Sequence, residues 1–296
     1  MSDAAFSVFP PRNLCSAAVF ASPHSGSDYP VHFLRESILD GQRIRSSEDA
    51  FVDQLFSAAP EYGAPLLIAR KPRAYLDLNR SPEELDPALI EGVARRGQNP
   101  RVASGLGVIP RVVAGGRAIY RGKLPIAEAH RRIEEYWKPY HRALQGLLDR
   151  AHEQFGHAIL VDCHSMPHEA LETMPRRAGH LPDVVLGDRF GAAASGEIVD
   201  RIEAAFVRGG LRVARNAPFA GAYITQAYGR PSRNQHAVQV EIDRSLYMDE
   251  DAMRPNRNFA ALQEVLREVI AEITGEKVVG RGVGGTASVA RPMAAE

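Results

Sequence analysis

Along this chain, short apolar runs alternate with segments of helical period, and that alternation limits the possible folds more than any other feature of the sequence. The runs are "AAVFASP", "APLLIAR", "AYLDLN", "HAILVDCHS", "LRVARN" and "AVQVEID". Helical patterns are expected near 49–59, from about Ile126 to Phe155, near 195–209 and near 256–274. Strands that alternate with helices predict an α/β fold, with a sheet covered by helices on both faces. The longest helix repeats Ile126, Ala129, Ile133, Trp137, Tyr140, Leu144, Leu147 and Leu148 at three- and four-residue steps, a stripe suited to packing on the sheet. Pro139 lacks an N–H inside that pattern, so a kink or a break between two helices is expected there. His130, His141 and His152 of this helix have no second ligand at metal-binding spacing and are expected at surface or edge positions.

Charge narrows the partners. Lys plus Arg and Asp plus Glu both number 36, so no net field draws nucleic acid or anionic lipid. No run of ~18 apolar residues occurs, and the start "MSDAAFSVFPPRN" lacks a basic stretch followed by a long apolar one. Neither a nucleic-acid nor a membrane partner is expected. Two sparse cysteines, Cys15 and Cys163, suit a reducing compartment, the cytoplasm, rather than a disulfide framework. From 275 the sequence turns rich in Gly and Ala without periodicity. Residues 1–274 therefore read as one domain and 275–296 as a flexible tail.

The chemistry-bearing residues gather where strands should end. "HAILVDCHSMP" places Asp162, Cys163, His164 and Ser165 after four apolar residues, and "SPHSG" places His24 just beyond "AAVFA". Adjacent strands would bring both imidazoles to one edge of the sheet, where open α/β folds collect functional groups. Taken singly, each histidine also suits a hydrogen-bonded strand end. Together they suggest a metal centre, which for catalytic zinc has three protein ligands and an open position. The third ligand is open among Asp28, Glu48 and Asp49, and the last two equally suit N-capping of the helix that "SSED" begins. "AVQVEID" alternates Val238, Val240 and Ile242 with Gln239, Glu241 and Asp243, as a half-exposed strand does. If its polar face borders a cleft, Glu241 is the candidate proton acceptor, with Asp243 on the same face. "RKPRAYLDLNRSPEELDP" offers Arg73, Asp77, Asn79 and Arg80 to an acidic substrate, or else serves as a loop of turn and capping residues. "FAGAYITQAYGRPSRNQHA" is either a substrate loop carrying Thr225, Tyr228, Arg230 and His236 or a long connection.

"SPHSG", "SEDAFVDQLF", "PRAYLDLNR", "VDCHSMP", "LPDVVLGDRFG", "YGRP" and "VQVEIDRSLYMDE" occur here in an order that resembles the N-formylglutamate amidohydrolases, over roughly Pro10 to Thr274. The resemblance implies a mixed, mostly parallel sheet sandwiched by helices, the architecture of zinc exopeptidases, carboxypeptidases and aminoacylases. It implies one Zn2+, or another divalent metal, held by His24, His164 and an acid. Asp49 comes first for that acid, then Glu48, then Asp28; the His-x-x-Glu pair of zinc carboxypeptidases is absent because Ser27 stands at its second position. Glu241 is implied as general base and acid, and Arg73 as a stabiliser of the oxyanion. Asn79, Arg80, Arg230 and Thr225 are expected to bind the substrate, a small anionic N-acyl amino acid. The implied activity is hydrolysis of N-formyl-L-glutamate to formate and glutamate in histidine catabolism. Two further readings are hydrolysis of another N-acyl amino acid or small peptide, and turnover-free binding of an anionic ligand.

Overall fold

The segments "AVFAS" and "AILVDCHSM" leave no exposed side, and each is a strand buried at every position. The computed structural model describes residues 4–94, 99–172, 174 and 180–275; of the expected tail, residues 276–296 lie outside them. Seven strands make the central sheet: β1 (Phe6–Phe9), β2 (Ala18–Ser22), β3 (Leu66–Ala69), β4 (Ala158–Met166), β5 (Val184–Gly187), β6 (Val213–Arg215) and β7 (Gln235–Asp243). Their order is β1-β3-β2-β4-β7-β5-β6. The inner four, β3, β2, β4 and β7, run parallel, whereas β1 and β5 pair antiparallel with β3 and β7. The sheet is therefore mixed and mostly parallel.

Alternate residues of the inner strands feed two cores. One contains Val19, Ala21, Leu67, Leu160 and Ala237 and packs under the helix α1 (Lys138–Phe155) through Tyr140, Leu144 and Leu148. The other contains Phe20, Val161, Val238 and Val240 and packs under α2 (Gly196–Arg208) and α3 (Phe259–Thr274). On the α1 face the apolar series gives way to polar groups toward the carboxyl ends of the strands. Leu160 is followed by Asp162 and His164, and Ala237 by Gln239, Glu241 and Asp243. The opposite face stays apolar through Cys163 in β4 and Ile242 in β7.

Four expectations are corrected. The helix run passes through Pro139 without breaking, and the adjustment is a π turn, Ile133–Trp137, immediately before α1. Widening that turn makes room for the proline ring, which would otherwise press on the carbonyl one turn back. "AYLDLN" is a series of turns rather than a strand, because its N–H groups bond locally and across to Val108 (Tyr75 N to Pro72 O, 2.9 Å; Asp77 N to Val108 O, 2.8 Å). The helix near 49–59 shrinks to Val52–Leu55 plus a 3-10 turn at Ala59–Tyr62. Strand β7 is buried on both faces, not half exposed: Val238, Val240 and Ile242 pack in the second core, and on the other face Gln239 bonds Glu241 and is covered by Asn79.

His141 also departs from expectation: it is 6% exposed. Its Nε2–H donates to the carbonyl of Leu78 (2.9 Å), so Nδ1 accepts from the Tyr228 hydroxyl (2.8 Å). Burial pushes its pKa down to about 4. The unfolded chain, with an ordinary histidine near 6.5, takes up the proton first as pH falls. Stability is therefore unaffected above pH 6.5 and declines from there to pH 4 by about 1.4 kcal/mol per unit. Of the aromatic groups around the ring, Trp137, Tyr140, Tyr223 and Tyr228, none titrates in that window. Between pH 7 and pH 5 the protein should lose about 2 kcal/mol more of unfolding free energy than His141→Gln does, measured by denaturant titration. Parallel losses in the two proteins would refute this assignment.

Candidate metal centre and active site

Beyond the carboxyl end of β2 the chain turns sharply and presents His24. Only glycine suits the turn, since a Cβ on Gly26 would lie 2.3 Å from the carbonyl oxygen of Lys71 and 2.7 Å from backbone atoms of Arg70. β2 and β4 pair in parallel with Ala21 opposite Asp162, which sets His24 beside His164, their rings 4.7 Å apart. In turn, β4 and β7 pair with His164 opposite Glu241. Asp49 arrives from a distant loop whose backbone is tied to the first histidine, Asp49 N to His24 O at 3.1 Å.

These side chains converge with a clear polarity. Asp49 Oδ2 lies 2.9 Å from His164 Nδ1 and 3.4 Å from His24 Nδ1. The far nitrogens face other carboxylates, His24 Nε2 at 2.7 Å from Asp77 Oδ1 and His164 Nε2 at 3.1 Å from Asp162 Oδ2. His24 has the arrangement that metal-binding imidazoles use, with the outer N–H on a carboxylate and the inner nitrogen free for an ion. The fit of a metal rests on a further observation. His24 Nδ1 is buried and makes no hydrogen bond, an arrangement that is unfavourable unless a cation takes the lone pair. His24, Asp49 and His164 offer ligand atoms all within 4.8 Å of one another, a nitrogen and oxygen set that suits zinc.

The other two acids are engaged elsewhere. Glu48 accepts hydrogen bonds from Tyr29 and Arg45, and Asp28, 45% exposed, pairs with Lys71 at 2.9 Å. Capping does not explain Asp49 either: the residue before Val52–Leu55 is Phe51, in the left-handed region (φ 67°) and without a side-chain cap. Arg244, which the sequence reading did not single out, binds Asp49 Oδ1 at 3.0 Å and Ser165 Oγ at 3.2 Å, turning the other oxygen toward the histidines. Its position just past strand β7, inside "EIDRSLYMDE", was the only available signal.

Electrostatics follow from burial and these contacts. Burial opposes ionisation of Asp49, but His164 and His24 beside it outweigh that and hold the carboxyl well below the usual range. Burial likewise disfavours a charged His164, yet Asp162 and Asp49 raise its pKa well above the ordinary value. Glu241 is 8% exposed and accepts from Gln239 Nε2 at 2.8 Å. Burial raises its pKa to about 7. Cys163, between two of these residues in sequence, points into the opposite core, where burial raises the thiol.

The cluster forms the floor of a cavity of about 720 Å³ that Arg73, Arg80 and Glu241 also line. Arg73 Nε binds Asp77 at 3.0 Å. Asn79 lines the cavity, but its amide is engaged by the protein: Oδ1 accepts from Ile224 N (2.7 Å) and Nδ2 faces His164 Nε2 (3.2 Å) and Gln239 (3.4 Å). Asp77, expected with the substrate-gripping residues, instead orients His24.

Thr225 and Arg230 are not in this cavity. The residues from Tyr223 to Tyr228 form a helix, within which buried Thr225 donates to the Ala222 carbonyl (2.9 Å). Exposed Arg230 caps the end of the same helix through the carbonyls of Gln226 and Gly229. His236 belongs to β7 and accepts from Ser195 N (3.2 Å). Among the described residues, no helix is long and apolar enough to cross a membrane.

Comparison with known proteins places this site in a family. A family model described as N-formylglutamate amidohydrolase matches residues 16–248. An N-formylglutamate deformylase of Pseudomonas aeruginosa is 32% identical over 258 residues, 86% of this chain and 90% of its own length. Its counterpart from Pseudomonas putida is 32% identical over 238 residues, covering 78% of this chain and 82% of that protein. Among solved structures, an N-formylglutamate amidohydrolase from Ralstonia eutropha JMP134 superposes with a TM-score of 0.84 at 36% identity, covering 92% of this chain and 97% of that one. The chain belongs to the N-formylglutamate amidohydrolase family and is an amidohydrolase.

Proposed function

We propose that this protein is a zinc-dependent hydrolase that cleaves the formyl amide of N-formyl-L-glutamate, or of a close N-formyl amino acid, to formate and the free amino acid. The observation that carries this reading is the convergence of two imidazole Nδ1 atoms and one carboxylate oxygen beside a buried glutamate in a polar cavity. The names of its relatives support the substrate. The reading treats residues 1–274 as one catalytic domain of zinc-exopeptidase architecture, supported by the placement of His24, His164 and Glu241 toward the carboxyl ends of parallel strands.

Held by His24, Asp49 and His164, a Zn2+ ion or another divalent metal would supply Lewis-acid polarisation of the formyl carbonyl and acidification of a water. Glu241 takes the proton of the attacking water. Its pKa of about 7 makes the carboxylate a competent acceptor and its conjugate acid a competent donor near neutrality. It then returns the proton to the departing amine nitrogen as the C–N bond breaks. Arg73 keeps its Nη donors for the oxyanion, because only Nε is bonded to Asp77. Arg80 is fixed through Nε on the Leu106 carbonyl (3.0 Å) and Nη1 on the Asn79 carbonyl (2.9 Å), which leaves Nη2 for the α-carboxylate.

Formate release from a panel of N-formyl amino acids, before and after chelation, tests the proposal. N-formylglutamate should be hydrolysed, activity should vanish on chelation and zinc should restore it. Undiminished activity in metal-depleted protein would refute the metal's role, and cleavage of acetyl or peptide substrates alone would refute the formyl assignment.

A further inference from the structure

Four arginines line the cavity, and among the described residues only two of them form ion pairs. Arg73 is paired with Asp77 and Arg244 with Asp49, each at 3.0 Å. Arg80 hydrogen-bonds carbonyl oxygens only. The fourth is Arg101, a residue with no motif around it, brought in by the segment that covers one side of the cavity. Among the described residues its guanidinium makes no hydrogen bond or ion pair, whereas its backbone is well held. Asn99 Oδ1 accepts from Arg101 N (3.0 Å), and the Arg101 carbonyl accepts from Leu106 N (2.9 Å).

The same segment is braced against Arg80. The Leu106 carbonyl accepts from Arg80 Nε, Val108 is bonded to Glu84 and Asp77 through its backbone, and Arg111 pairs with Asp86 at 2.8 Å. Arg101 is thereby fixed near enough to Arg80 that its charge, after burial and alongside Arg73, lowers the Arg80 pKa. Buried Arg80 feels the acids Asp77 and Glu84 only through space and has no carboxylate hydrogen-bonded to it, and exposed Arg101 has no partner among the described residues, so both guanidinium groups can take an anion from the cavity. One carboxylate would answer one arginine.

We propose that Arg101 is a specificity-determining residue that binds the side-chain carboxylate of the substrate while Arg80 holds the α-carboxylate. This rests on the hydrolase reading above but is separable from it. Arg230, expected among the substrate-binding residues, is on the outer surface and bonded to its own helix.

The test compares N-formylglutamate with N-formylglutamine, which differs in charge but hardly in shape. In Arg101→Ala the ratio of kcat/KM for the acid over the amide should fall about 10- to 100-fold, the worth of one charge-assisted hydrogen bond. Arg101→Glu should lower the ratio further by placing like charges together. The exposed position makes both variants compatible with folding. A ratio unchanged within twofold in both variants would overturn the proposal. If the wild-type protein cleaves neither substrate, calorimetric binding of glutarate against its monoamide reads the same contact. A preference for glutarate that Arg101→Ala removes would support the inference while the hydrolase reading fails; no preference in the wild type would overturn it.

Discussion

Glu241→Gln should retain a full equivalent of divalent metal and lower kcat for formyl hydrolysis by about 10²- to 10⁴-fold. The replacement keeps the side chain's shape, and its oxygen still accepts the hydrogen bond from Gln239 that now reaches Glu241 at 2.8 Å. What disappears is the group that takes the water's proton and hands it to the amine. KM should change much less than kcat, because Glu241 acts in the transition state rather than in holding the carboxylates. Metal analysis together with steady-state formate release checks this. A kcat within tenfold of wild type, with metal bound, would remove Glu241 from the proton-transfer role.

His164→Ala should lose both metal and activity. It removes one of three ligands and leaves Asp49 and Asp162 buried without the imidazole that lies at 2.9 and 3.1 Å from them. Breaking such a buried pair destabilises by about 3–5 kcal/mol, so the fold must be assessed alongside activity. Asp162→Asn separates the effects. It leaves all three ligands in place but weakens the outer hold on His164, and zinc affinity should fall only about 10- to 100-fold. Zinc titrations on protein confirmed as folded by circular dichroism provide the comparison. Equal affinities in wild type and His164→Ala would show that the ion is held elsewhere.

The strands carrying the site were legible because their signal is local. "AILVDCHSM" and "AVFAS" are apolar on both faces, and both become inner strands of the sheet. His24 and His164 could be read as neighbours because each follows such a run. "AVQVEID" has the same alternation whether its polar face meets water or a cleft. Only what packs over that face, Asn79 on Gln239 among it, makes it buried. The turns of 71–80 looked like a strand because Tyr75, Leu76 and Leu78 are apolar. In the structure they anchor a loop in the core beneath α1.

By itself, the sequence determined the α/β class, the two histidines at strand ends, the glutamate on a later strand and the resemblance to an amidohydrolase family. Those features depend on periodicity and on residues a few positions apart. Tertiary structure alone decided that Asp49, rather than Glu48 or Asp28, converges with the two histidines, since a carboxylate's direction depends on distant partners. Here those are the His24 carbonyl and Arg244, 195 residues away in the chain. It also decided that Asp77 supports a histidine, that Thr225 and Arg230 turn away, and that Arg101 turns in. A guanidinium in a loop has no pattern to mark its orientation; that is fixed by packing between segments far apart in sequence.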